Sequence, residues 1–377
     1  MFPTRRITTM GGDKFRDEFS LSFDGTNDYI DCGDKSAFDI QSFTISAWIK
    51  INDVDYNGIL SHYATNNGYN FFVNTDGKLR TYIGDNTGAN SLVSGTALGA
   101  NKWYHCVTTY TSGTRKIYLN GVEDGSSSTA VTITFPTGSL VIGEAIDAYM
   151  NGNISEVTIY DKALSASEVK TLYNGREPYN HKEGVCSSNL QAWWRMGDGV
   201  LDSHLSKLEI IGDETNPTLG SNLVDSDASV FASGTYGWEA IGNNTIANVS
   251  NALEITYVDD DDGADFNLKA AETGFSTNLT IGQTYKVSFD TKINTGSARW
   301  IVYDGGNYHH AYDTTNTTFE RCEINFVATH ATTCKLKAYN MSSSEVLYLT
   351  NLVVQEVNGN PGILKNMDAS AFKGETP

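Results

Sequence analysis

The sequence predicts an all-β protein: two tandem antiparallel β-sandwiches, with one short helix closing the first. Three observations carry this expectation. Apolar and polar residues alternate with period two through long stretches of the 377-residue chain. The 35 glycines far outnumber the 6 prolines, and 20 tyrosines and 16 phenylalanines give the composition of many short strands joined by tight turns. The length is enough for two domains, each burying its own core.

Taken in order, Phe43, Ile45, Ala47, Ile49 and Ile51 alternate with Thr44, Ser46, Trp48 and Lys50, the pattern of a half-buried strand. Residues 68–85 read as a hairpin, with strands at 69–73 and 78–83 around Asn74-Thr75-Asp76-Gly77. Ile117-Tyr118-Leu119 leads into Asn120-Gly121, a pair that accepts positive φ twice and marks a second hairpin. Ser165-Ala166-Ser167-Glu168 is a capping box. Leu164 can staple against Val169 there, and Gly175 is expected to supply the left-handed stop of this helix. The pattern then lapses until about Asn222, after which strands are expected at 285–289, 299–303 and 346–357. The resulting division is an arm (1–18), a first sandwich (19–178), a linker segment (179–215), a second sandwich (216–358) and a tail (359–377).

The net charge of −19 argues against nucleic acid or an anionic membrane as partner, since both would repel the protein. The opening Met1-Phe2-Pro3-Thr4-Arg5-Arg6 lacks the apolar run of a secretory signal, so export by that route is not expected. Cys32, Cys106, Cys186, Cys322 and Cys334 are odd in number and irregular in spacing, which reads as reduced thiols and assembly in a cytosol.

Several segments carry a resemblance. Residues 20–30, Phe43–Ile51, Lys102-Trp103-Tyr104-His105, and Gly152 to Val157 running on to Leu164-Ser165 resemble, in order, the strands of laminin-G-like, concanavalin-type jelly rolls. Asn222-Leu223-Val224, Gly237-Trp238, Leu253-Glu254-Ile255 and residues 279–285 are similar to carbohydrate-binding jelly rolls of the galactose-binding type. That family commonly closes on an Asp-Asp-Val strand that helps hold structural calcium, whereas this chain reads Thr350-Asn351-Leu352. Trp193-Trp194-Arg195-Met196-Gly197-Asp198 resembles a motif of phage structural proteins, whose usual continuation appears here only at 362–368. Two readings follow: the second sandwich is inserted into this motif, so that 362–368 packs beside 192–198, or the two pieces are an unrelated linker and tail.

No catalytic constellation is expected. Glu156 and Asp161, the nearest thing to a carboxylate pair, should point to opposite faces of a strand at their odd spacing. Sugar binding needs aromatic faces beside amide or carboxylate partners. Trp300, Tyr303, Asp304, Asn307, Tyr308, His309 and Tyr312 form one such cluster, and Tyr56, Asn57, Tyr63, Asn66, Asn67 and Tyr69 another. The run Asp259-Asp260-Asp261-Asp262 could hold Ca2+, the one candidate cofactor, or be a solvated loop. In the basic arm, Phe2, Arg5, Arg6, Ile7 and Phe15 are expected to dock on another subunit.

Together these features imply a bacteriophage virion surface protein, a fibre, decoration or adsorption component assembled in the host cytoplasm. Its expected partners are other virion proteins or copies of itself, with a host cell-surface glycan as a further candidate and neither nucleic acid nor membrane. The alternative is a secreted, extracellular bacterial lectin or adhesin.

Overall fold

The computed structural model describes residues 15–87, 89–145, 148–199, 202, 210–258, 262–268, 275–304, 307–367 and 371–377. The side chains of 89, 262, 263, 267, 304, 307–311 and 372 are outside that description. The chain is mostly β, with antiparallel sheets forming two jelly-roll sandwiches.

In the first sandwich one sheet runs Val122–Ser127, Thr114–Leu119, Trp103–Thr111, Phe43–Ile51, Asn151–Tyr160, Ser20–Asp24 and Phe372–Lys373, with Leu190–Trp194 also on Asn151–Tyr160. The facing sheet runs Ile210–Ile211, Gly362–Lys365, Tyr29–Asp31, Val141–Ile142, Asn57–Ala64, Asn67–Val73, Lys78–Asp85 and Ala89–Ala97. Inward residues of both, among them Phe43, Ile45, Ile49, Tyr69, Phe71, Ile83 and Trp194, make one core.

Local chemistry sets the turns. Asn120 and Gly121 take φ of 51° and 77°, the doubly positive pair that a two-residue hairpin needs. The helix Ala166–Tyr173 starts on the Ser165–Glu168 capping box, and Leu164 packs with Val169 beneath it. Its left-handed cap is Asn174 at φ 47°, with Gly175 following, so the stop falls one residue earlier than Gly175.

The strand Asn151–Tyr160 changes partners along one edge. Residues 151–154 pair with Ser20–Asp24, and residues 157–160 pair with Leu190–Trp194. A bulge lies at the changeover, where Glu156 adopts φ 53°.

The segments expected as linker and tail supply strands to the first sandwich, because the strand edges they cover would otherwise be left unpaired. Ile210–Ile211 pairs with Gly362–Lys365, and Gly220 and Leu223 donate to Glu356 and Val354, so the chain leaves and re-enters along one two-stranded stem. Between these points lies the second sandwich. One sheet runs Trp238–Ala240, Asp262–Asn267, Cys334–Tyr339, Ala298–Asp304 and Asn307–Thr314. The other runs Thr245–Val249, Ala252–Thr256, Val346–Val357, Thr284–Ile293 and Glu320–Val327. Its core is separate from the first and holds Trp238, Phe266, Phe289 and Trp300. Cys322 and Cys334 lie on different sheets there, and none of the five cysteines is joined in a disulfide.

Candidate functional site

In the strands Asn67–Val73 and Lys78–Asp85, alternate residues enter the core, so Asn70, Phe72, Arg80 and Tyr82 face outward. Register then sets two transverse rows across this face. One runs Asp31, Val141, Ser61, Asn70, Tyr82 and Ser91; its neighbour runs Gly58, Phe72, Arg80 and Val93. The aromatics are continuous. Phe72 lies 6.2 Å from Tyr56 and 5.3 Å from Tyr82, and Tyr82 lies 6.5 Å from Tyr63. Tyr56 is 46% exposed, Tyr63 and Tyr82 are half-buried, and Phe72 forms the floor.

The polar groups among these rings are held but not saturated. Asn70 is fully buried; its Oδ1 accepts from the Tyr82 N–H at 3.2 Å, and its Nδ2 has no partner among the described residues. Tyr63 donates to Asn66 Oδ1 at 3.3 Å, with Asn66 in a left-handed turn at φ 67°. The short hairpin Glu144–Ala145 and Ala148–Tyr149 walls one side. It passes so near Gly58 that a Cβ there would sit 2.3 Å from the Ala145 nitrogen. The result is a partly exposed surface in which Tyr56, Tyr63 and Tyr82 lie over the covered Phe72 and Asn70, able to stack on a flat apolar face.

Tyr56, Tyr63 and Asn66 of the expected cluster therefore meet on this face. Asn57 and Tyr69 do not, and their assignment as ligand contacts is corrected. Asn57 is buried, bonding Asn151 N–H and the Asp55 carbonyl as a loop brace. Tyr69 points into the core, 4.7 Å from Phe43, and its hydroxyl donates to the Phe38 carbonyl. Asn67 accepts from the Thr134 hydroxyl and so ties down a loop.

In the second sandwich Trp300 is likewise a core residue. It is 4.9 Å from Phe289, and its indole N–H is satisfied by Thr291 at 2.9 Å. Tyr312 packs half-buried against the same core. Tyr303 lies on the outer side under the Lys337 ammonium, 5.7 Å from the ring centre. The side chains of Asp304, Asn307, Tyr308 and His309 lie outside the described residues, as do Asp259, Asp260 and Asp261 and the side chain of Asp262. Among the described residues no group of three or more metal-ligating side chains converges. Asp24, Asp28 and Asp31 instead accept backbone N–H bonds of their own turns.

Phe2, Arg5, Arg6 and Ile7 fall outside the described residues. Phe15 packs on its own chain. Its ring lies 5.7 Å from Trp193 and 4.4 Å from the Arg195 guanidinium, and this stack gives it an intramolecular pocket. The Arg16 carbonyl accepts from Arg195, and the N–H groups of Glu18 and Phe19 donate to Asp198 at 2.8 Å.

Beneath that segment lies a buried ionisable cluster that sequence parity did not disclose. Glu156 accepts from Trp193 Nε1 at 2.6 Å and from Arg195 at 3.2 Å. Burial, with Glu156 and Asp198 nearby, pushes the Asp17 carboxyl up; burial also raises Glu156, against the lowering pull of Arg195. His181, bonded to Tyr160 at 2.6 Å, is held down to about 3 by burial, with smaller contributions from His105 and Arg195. The adjoining cavity is only about 20 Å³, room for about one water and no substrate. We read this cluster as structural.

The fold is thus an antiparallel jelly-roll sandwich carrying a second sandwich between its strands. Residues 24–170 match the concanavalin A-like lectin/glucanases superfamily, as a laminin-G type domain. No curated protein matches the chain. Among solved structures, a candidate carbohydrate-binding protein of Bacteroides ovatus is 20% identical, with a TM-score of 0.42 over 53% of this chain and 56% of that one. The heptameric SAP-like pentraxin of Limulus polyphemus is 19% identical, with a TM-score of 0.34 over 41% of this chain and 82% of that one. The CBM40 module of the Ruminococcus gnavus IT-sialidase, bound to α2,3-sialyllactose, is 10% identical, with a TM-score of 0.35 over 41% and 96%. At such scores these likenesses carry no argument about a ligand.

Proposed function

We propose that the protein is a glycan-binding module that works without catalysis, and that the Tyr56–Phe72–Tyr82–Tyr63 face is its platform. The observation carrying this reading is the continuity of those rings on an exposed sheet face, around the buried Asn70 amide. Pyranose rings present C–H faces that stack on aromatics and hydroxyl edges that need amide partners, which is the chemistry available here. The match of residues 24–170 to a lectin and glucanase superfamily supports the same reading. A glycan array followed by calorimetry tests it. Wild type should bind a glycan that Tyr82→Ala and Tyr56→Ala bind at least about tenfold more weakly, roughly one stacked ring. Binding unchanged in both variants would remove the platform.

The carrier we propose is a bacteriophage virion, with a secreted bacterial lectin or adhesin as the alternative. Support for the first is the motif of residues 193–198; support for the second is the family match alone. Peptide mass spectrometry of purified particles, against the medium of uninfected cells, separates them.

A further inference from the structure

Arg80 stands apart from the other guanidinium groups. Arg16, Arg115, Arg176, Arg195, Arg299 and Arg321 each have a carboxylate or carbonyl partner. Arg80 has no hydrogen bond or ion pair among the described residues, and its Nε is buried with nothing to donate to. Asp76, an exposed turn residue that feels the Arg80 charge, is already occupied by the Lys78 N–H and the Asn74 amide. That buried Nε has lost water without gaining an acceptor, which is costly.

Its position gives that cost a purpose. Arg80 pairs in register with Phe72 and is two residues from Tyr82, so it stands within the aromatic platform. The chain as a whole carries a net charge of −19. Long-range attraction of a polyanion is therefore weak, and the discriminating element must be local and geometric. A planar fork with free donors beside a stacking surface matches a carboxylate held on a sugar ring, since the ring stacks while two parallel N–H···O bonds form at its edge.

Building on the platform reading, we propose that the glycan is an acidic one, and that Arg80 receives the carboxylate of a uronic or other carboxylated sugar stacked beside Phe72 and Tyr82.

The test uses the full chain on polygalacturonate, alginate, hyaluronan and polysialic acid, each beside its carboxyl-reduced form, with neutral and sulfated glycans on the same array. At least one carboxylated polymer should bind, and its reduced form should bind about tenfold or more weakly. Arg80→Gln should lose a similar factor for the acidic polymer, with thermal melting not lowered. Arg80→Lys should fall between, keeping the charge but not the fork. Equal binding of the acidic polymer by Arg80→Gln overturns the proposal, as does preference for a neutral or a sulfated glycan; in those cases the platform reading survives if Tyr82→Ala still weakens binding. If no glycan of any class is bound, the platform reading falls with it.

Discussion

Asp213 and Asn360 clamp the root of the inserted sandwich. The buried Asp213 carboxylate accepts from the Asn360 N–H at 2.8 Å and its side-chain amide at 3.2 Å, while also accepting from Trp193 N–H and from Thr215 twice. Asn360 in turn bonds the Gln191 carbonyl and accepts from the Trp194 indole at 2.8 Å. The segment where the chain exits is thereby held to the segment where it returns, and Asn360, two residues before Gly362, lies beside Gln191 and Trp194.

Asp213→Ala should leave several buried donors unpaired and destabilise the protein by about 3 kcal/mol. Proteolysis should open the stem near residues 212–220 before either sandwich unfolds. Denaturant titration with parallel digestion measures both. An unchanged midpoint would show that the clamp is not structural.

Excision tests the insertion more directly. Replacing 216–358 with a short Gly-Ser linker should leave a folded first sandwich, because the severed ends lie side by side in the stem. Ending the chain at 358 should unfold it instead, since Gly362–Lys365 and Phe372–Lys373 are removed from its two sheets. Circular dichroism and thermal melting of both truncations distinguish these outcomes.

The turn at Asn120-Gly121 predicts a local effect. At Gly121 φ is 77°, and a Cβ would sit 3.0 Å from the Tyr173 Cβ and 3.2 Å from its ring. Gly121→Ala should therefore cost about 1–2 kcal/mol from the backbone alone, while the same change at Gly113, where nothing lies within 4 Å, avoids the steric part.

The cluster around Glu156 predicts a pH dependence. Asp17 and Glu156 have carboxyls raised above their unfolded values, chiefly by burial, so the folded state holds protons that the unfolded state releases. Their contribution is complete below about pH 4, the unfolded carboxylate range, and is lost as pH rises through the raised values. His181, whose value is lowered, works the other way up to about pH 6.5, so thermal melts at constant ionic strength should fall from about pH 6.5 to 8, less steeply in Glu156→Gln. A rise over that interval would contradict the assignment.

Trp300→Phe separates core from site. It should leave Thr291 without its indole partner and open a small void, lowering the stability of the second sandwich by about 2 kcal/mol. Glycan binding by the first sandwich should be unaffected.

How much of this was legible in the sequence depends on the strand. Phe43–Ile51 alternates cleanly, so period two shows its core face, and the helix start follows from four adjacent residues. The strand Asn67–Val73 is apolar on both faces at 69–73, so alternation alone could not say whether Tyr69 or Phe72 looked outward. Following that parity onto Asn70, Arg80 and Tyr82 was the signal available for the platform, and it needed the core face to be known. Trp300-Ile301-Val302-Tyr303 has the same ambiguity, decided by Thr291 across the sandwich. Glu156 shows a different failure. Counting by twos assumes an unbroken ladder, and the bulge between Ser155 and Thr158 resets the count.

The pairing of Ser20–Asp24 with Phe372–Lys373 also sets an order on synthesis. The first sandwich starts with Ser20–Asp24 but cannot close that edge until Phe372–Lys373 leave the ribosome. Its facing sheet likewise waits for Gly362–Lys365. The second sandwich has all its strands once Val357 has emerged. The domain started later is thus the one completed first, and the unfinished one must keep its apolar strands from foreign partners for the interval between, with its own neighbour already folded beside it.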